Sequence, residues 1–306
     1  MSNSFNNRVF GCAIIKSINS NYNADFSHQP RTLPNGTVYA TDKTLKWAIR
    51  NYWKKNLNTN VFYSKTFDEN MSPRTLDETF ESHFGKDIFK ISDKNKLRLE
   101  VLKSIMSYVD VRLFGGTYAG KTNISIHGTC QITHGVNRYG ENVIYSEQIM
   151  SPFRNPSEKN NDSTMTTLGT QSKLQEGHYV HHFSVNPRNI EDDAKRVGIE
   201  GISTDDIDKL KEGLRKGVTY YDSAAKAGTE NELLLWVQLK AGSKLVLPSF
   251  VELVTVNDDR TIDLQKVTEV LAKAHVKDEI EKIELYYTKG ITKVANIPSG
   301  AIEMEL

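Results

Sequence analysis

The sequence predicts an α+β fold, and three observations predict it. Apolar runs of strand length recur along the chain, from residues 9–15 to residues 281–288. Helical periodicity returns between them, at 43–55, 203–218 and 263–275. Two stretches, 56–106 and 135–175, break that rhythm and read as insertions.

Residues 9–15, Val-Phe-Gly-Cys-Ala-Ile-Ile, are almost wholly apolar, as in a strand covered on both faces. An Asn- and Ser-rich loop follows over 17–25. Thr41 and Asp42 then open a helix over 43–55, with Asp42 as its N-cap. Leu45, Ala48, Ile49 and Tyr52 share one face; Lys43, Lys46, Arg50 and Lys54 line roughly the opposite one. Lys46 and Arg50 repel at i,i+4, so the stripe is either solvated or faces an anion. Residues 59–63 read as a short strand, 75–84 and 94–107 as helices. Residues 108–114 alternate as a strand does, and Gly115 and Gly116 turn the chain. Over 124–133 the alternation places Ile124, Ile126, Cys130 and Ile132 on one face. Ser125, His127, Thr129, Gln131 and Thr133 fall on the other, all uncharged hydrogen-bonding groups suited to water or to ribose and phosphate. Residues 135–175 are rich in Asn, Gly, Pro and Ser and form an extended protrusion, with 143–149 as a hairpin arm and 155–165 mobile. Strands at 178–185, 233–240, 250–256 and 281–288 accompany the helices at 203–218 and 263–275. Without the insertions the order contains βαββαβ, the ferredoxin-like or RNA-recognition-type arrangement.

The 306 residues, 38% hydrophobic and 25% charged, suffice for a buried core in one large or two modest domains. No apolar run approaches the ~20 residues of a membrane span, and the polar opening, residues 1–7, is no secretory signal. A cytoplasmic chain with no membrane partner is expected. Its two cysteines, Cys12 and Cys130, read as buried free thiols rather than metal ligands. The net charge of +1 hides an asymmetry. Residues 1–60 hold eight Lys/Arg against two acids, and residues 191–306 hold 16 basic against 22 acidic residues. Such ends suit a polyanion on one side, or head-to-tail contact between copies.

The sharpest motif misleads. Gly115-Gly116-Thr117-Tyr118-Ala119-Gly120-Lys121-Thr122 matches G-x-x-x-x-G-K-[ST], yet a phosphate loop needs a helix after it. Residues 123–133 are instead β-branched and alternating, so an NTPase is the weaker reading. His181 and His182 point to opposite faces of a strand and cannot chelate together. Asp25 reads as a turn residue or as a catalytic acid. Tyr22, Tyr39, Trp47, Trp53 and Tyr118 are interleaved with Arg31, Lys43, Lys46, Arg50 and Lys121, a mixture of core aromatics and rings suited to stacking on unpaired bases.

With these residues laid out, the chain resembles the backbone subunit of type I CRISPR interference complexes (Cascade), of the RAMP superfamily, and especially its type I-B members. Asn19-x-Asn21-x-Asn23-x-Asp25 corresponds to that family's loop after the first strand. Thr41-Asp42-x-x-Leu45-Lys46-x-x-Ile49-Arg50-Asn51-Tyr52 resembles its first helix, and Asp110-Val111-Arg112-Leu113-Phe114-Gly115 its D-x-R-x-F-G signature. Ile126-His127-Gly128-Thr129-Cys130-Gln131, Gly177-His178-Tyr179 and Asp222-Ser223-Ala224-Ala225 continue the series. The loop lacks the Pro and Gly of many relatives, and Thr129-Cys130 stands where they carry Pro-Val.

The resemblance implies a palm built from residues 1–55, 108–134 and 177–306, a helical finger insertion at 56–107 and a β-hairpin thumb at 135–176. It implies copies assembled head to tail along a CRISPR guide RNA, with target DNA reached through the guide and other interference-complex subunits as partners. The RNA-contacting helix residues carry over to Lys46 and Arg50, and with them Asn21 and Asn23. Lys16, Ser17, His127, Gln131 and Arg138 complete the expected RNA-binding set. No catalytic residue, metal or cofactor is implied. A metal-dependent RAMP-type endoribonuclease, using Asp25 or a histidine, is the alternative.

Overall fold

The computed structural model describes residues 3–151 and 167–306; the stretch expected to be mobile, 155–165, lies outside them. Strand β1 (Val9–Ser20) runs five residues past the expected end. A short β2 (Tyr39–Ala40) precedes helix α1 (Asp42–Asn56). Thr41, with extended backbone, is the N-cap, and Asp42 is the helix's first residue. Helices α2 (Leu76–Phe84) and α3 (Lys94–Met106) form where expected. A capping box between Thr75 and Glu78 starts the first, and the Asp93 carboxylate caps the second.

Residues 108–114 depart from expectation. They form helix α4 (Val109–Phe114), not a strand. Six alternating residues fit either template, and here a helix buries Val109, Val111, Leu113 and Phe114 together with the Asp110 carboxylate. Gly115, at φ +68°, ends it. A Cβ there would lie 2.2 Å from the Ile126 carbonyl oxygen. Hairpin β3 (Gly116–Ala119) and β4 (Asn123–Ile126) follows, so a strand and not a helix succeeds the Gly-Lys-Thr triplet. The expected strand over 124–133 is cut in two. Gly128 crosses the Gly115 backbone so closely that a Cβ would meet its nitrogen at 2.1 Å. β5 (Cys130–Ile132) then joins a different sheet, and Thr129, expected on the wet face, is buried with its hydroxyl donated to the Arg112 carbonyl.

β6 (Gly135–Asn137) leads to an antiparallel hairpin of β7 (Ile144–Ser151) and the long β8 (Thr167–Val185). Helices α5 (Glu191–Val197) and α6 (Thr204–Lys216) precede β9 (Thr229–Leu239). Of the strand expected over 250–256 only β10 (Thr255–Val256) forms, and 59–63 forms none. β11 (Ile262–Asp263) precedes α7 (Gln265–Leu271) and α8 (Ala274–Lys277), where one helix was expected. β12 (Ile280–Tyr287), β13 (Val294–Ala295) and β14 (Ala301–Met304) complete the described elements.

The main sheet runs β14-β12-β9-β1-β8-β6-β2, with β5 and β7 also paired to β8. β1 is central and antiparallel to both β8 and β9. Its alternate residues serve two cores. Val9, Ala13 and Ile15 face α1, α3, α4 and α6. Phe10, Cys12 and Ile14 face Phe250, Val254, Leu264 and Val267 of the C-terminal segment. Both sheet faces are therefore covered there, which accounts for the unbroken apolar run. Both cysteines are buried, and burial pushes each thiol up to about 12. No described helix is long and apolar enough to cross a membrane.

Candidate nucleic-acid interface

Three segments converge on the N-terminal end of α1. The Asn23 side-chain oxygen accepts from the Thr41 N–H at 2.9 Å and its hydroxyl at 3.1 Å, joining the Asn-rich loop to the helix start. Lys226 Nζ donates to the carbonyls of Asn21 and Tyr22, at 3.0 and 2.6 Å, bringing in the loop that precedes β9. Burial pushes the Lys226 ammonium down to about 8. His134, after β5, lies 3.7 Å from Asp42.

Asp42 is the electrostatic hub. Lys43 and Lys46 donate to its two oxygens at 2.9 and 3.1 Å. Burial alone would raise this carboxyl, but hydrogen bonds and charge from the two lysines outweigh it and hold it below the usual carboxylate range. Two ammonium groups against one carboxylate leave a local positive surplus.

The basic stripe of α1 is not uniformly solvated. Lys43 is 81% exposed, while the Lys46 and Arg50 side chains are only 12% and 16% exposed. Arg50 Nε donates to the fully buried Asp110 at 2.9 Å, and its guanidinium lies 5.0 Å from the centre of the Phe114 ring. Among the described residues no partner is bonded to its two terminal nitrogens, and neither is a buried orphan. Arg50 is thus a guanidinium held by one edge, with the other edge available to a phosphate.

The other expected contacts are dispersed. Ser17 is wholly buried, its hydroxyl 2.7 Å from that of Ser20, because β1 continues through it. Asn21 is buried and donates to the Ser172 carbonyl at 3.2 Å; it supports the loop instead of presenting a group to solvent. Lys16 pairs with Glu230 on the neighbouring strand. Gln131 is exposed, but Cys130 and Ile132 beside it belong to the α1-side core, so it faces away from α1. Arg138 binds Glu252 and the Val254 carbonyl, in the segment covering the opposite sheet face. His127 is exposed beyond β4. Of the interleaved aromatics, Tyr22, Trp53 and Tyr118 are core, and Trp47 is half-exposed.

Three of the side chains a nuclease could use are engaged elsewhere. Asp25 Oδ1 accepts from the N–H groups of Ser27 and Gln29, capping its own turn. His181 is buried between Tyr22 and the Thr133 carbonyl, and His182 accepts from the Phe250 N–H. Burial pushes both imidazoles down to about 4.

The fold has solved counterparts. One chain, from a "CRISPR RNA-guided surveillance complex, pre-nicking", is 14% identical with a TM-score of 0.61, covering 98% of this chain and 96% of that one. Another, from a "CRISPR RNA-guided surveillance complex", is 15% identical with a TM-score of 0.51, covering 96% of each. These likenesses show the fold. A search of curated proteins finds no match. The family model for CRISPR-associated protein Cas7 matches residues 7–285. With that match spanning nearly its whole length, this chain belongs to the Cas7 family.

Proposed function

We propose that this chain is a non-catalytic, cytoplasmic subunit that binds CRISPR guide RNA. Copies repeat head to tail along the guide, beside other interference-complex subunits, and present it for pairing with target DNA. The carrying observation is the cationic face of α1, where Lys43 and Lys46 share the single Asp42 carboxylate and, two turns on, Arg50 is clamped by one edge to Asp110. Guide sequence varies, so the protein holds backbone while base pairing reads sequence. Cations for phosphate and neutral amides for ribose suit that task. Lys46, Arg50 and Asn23 are the contacts assigned to the guide, with Asn21 and Lys226 fixing the loop behind them.

In this reading the sheet order β9-β1-β8-β5, antiparallel throughout, with α1 and α6 on one face, supports a ferredoxin-like palm. Helices α2 and α3 are the fingers, and the β7–β8 hairpin is the thumb. The engaged Asp25, His181 and His182 support the absence of catalysis. Incubating purified protein with labelled CRISPR RNA tests the whole. Binding that leaves the RNA intact is expected. Metal-dependent cleavage lost in Asp25→Ala would replace this reading with a RAMP-type nuclease.

A further inference from the structure

Trp47 sits in the middle of the exposed face of α1, one turn after Lys43 and two turns before Lys54, both exposed. It is 46% exposed, whereas the other two tryptophans, Trp53 and Trp236, are fully buried. Its indole is held edge-on by Tyr221, with ring centroids 4.5 Å apart and planes at 74°. Tyr221 is itself fixed. Its N–H donates to the Val218 carbonyl, and Thr219 beside it donates from nitrogen and hydroxyl to the buried Asn231. The same loop is tied to the Asn-rich loop through Lys226.

We propose that Trp47, braced by Tyr221, is a stacking platform for one unpaired base of single-stranded nucleic acid, whose flanking phosphates lie on Lys43 and Lys54. The inference rests on the guide-binding reading and adds a base contact to it. The surroundings favour a base over a protein partner. The neighbours of Trp47 along the solvent side of α1 are Lys43, the partly exposed Asn51 and Lys54, and Tyr220, 43% exposed, packs edge-on against Tyr52 of the same helix, so the exposed apolar surface is a few rings set among cations. A stable protein interface needs about 800 Å² from each partner, while one base needs a single ring. Stacking is sequence-tolerant, because every base has a π-face, which suits a guide of variable sequence.

Selectively excited tryptophan emission reports on this site, since the two buried indoles are shielded. Short oligouridylate and oligoadenylate are titrated into the full-length protein, with affinity measured in parallel by anisotropy of labelled oligomers. Saturable quenching by both is expected. Trp47→Ala should lower affinity roughly 5- to 150-fold for each oligomer, the range of one lost stack, and Trp47→Phe should retain most of it. If Trp47→Ala folds poorly, Tyr221→Ala serves, with a smaller loss and altered quenching. Tight binding with unchanged emission and unchanged affinity in these variants overturns the platform and leaves guide binding standing. No binding by either oligomer or by CRISPR RNA overturns both. A Trp47→Ala change in sedimentation without RNA, with RNA affinity intact, assigns the face to a second copy of the chain and overturns the platform.

Discussion

Arg50 and Asp110 are sixty residues apart in sequence and 2.9 Å apart in space, joining α1 to α4 through a carboxylate with no exposure. The same carboxylate accepts from the N–H groups of Phe62 and Tyr63, at 2.9 and 3.0 Å. It therefore pins the segment that follows α1 as well as the helix. Removing it strands three donors. Asp110→Ala is expected to cost about 3–5 kcal/mol, and Asp110→Asn less, since its amide oxygen keeps an acceptor. Equilibrium urea denaturation measures both. A loss below about 1 kcal/mol, the size of one ordinary hydrogen bond, would mean that this segment is held by its apolar contacts alone.

Under the proposed function, Arg50 also joins that frame to the guide. Lys46→Ala combined with Arg50→Ala should weaken RNA binding for every sequence. It should also flatten the salt dependence by about 0.7 in slope for each single-strand phosphate no longer neutralised. Arg50→Lys keeps the charge but cannot hold Asp110 with one edge and a phosphate with the other, so it should recover only part of the loss. Binding measured over a salt series decides this. A loss confined to some sequences would contradict backbone recognition.

His181 and His182 are two groups whose protonation should destabilise the fold in acid. Burial holds both near 4, below the ~6.5 of a free imidazole, so protonation favours the unfolded chain. Their contribution is complete above about pH 6.5 and is lost as pH falls toward 4, by up to about 3 kcal/mol each. Asp42 and Glu176, whose carboxyls are depressed below 3.8 and 4.5, begin to lose theirs as pH falls through those unfolded values, so their loss overlaps the lower part of this range. His182→Gln, neutral throughout, should show a smaller drop in urea midpoint between about pH 7 and pH 4.5. An undiminished drop would assign the acid sensitivity to other groups.

Much of the fold was legible because long periodic elements declare themselves. The alternating cores of β1 and the Leu45–Ala48–Ile49–Tyr52 face of α1 both follow from spacing. Trp53 shares that face and is buried, while Trp47 does not and is half-exposed, a distinction that the reading of the aromatics as a mixture left open. Helix α4 was not, since six residues cannot distinguish a period of two from one of 3.6. The site was read less well. Lys46 and Arg50 were expected as RNA contacts, and the Arg50 partner was not foreseen, because Asp110 meets Arg50 only through tertiary packing. Ser17 and Asn21 look like surface residues in any polar loop. They are buried because β1 extends through Ser17 and the Lys226 loop closes over Asn21.

The Gly115–Thr122 stretch provides the last test, because two readings of it predict opposite results. As built, Gly115 is a packing residue. Its positive φ and the 2.2 Å approach of the Ile126 carbonyl leave no room for a methyl group. Lys121 meanwhile lies over the Phe89 ring at 4.4 Å and pairs with Glu81 of α2 at 3.6 Å. Gly115→Ala should therefore destabilise the fold by about 1–3 kcal/mol or more, measured by denaturation. Lys121→Ala should change stability by no more than the ~1 kcal/mol of a surface contact and leave calorimetric titration with ATP flat, as in the parent. A working phosphate loop would instead show ATP binding in the parent that Lys121→Ala abolishes. That outcome requires phosphates beside a helix N-terminus, and β4 occupies the place where such a helix would begin.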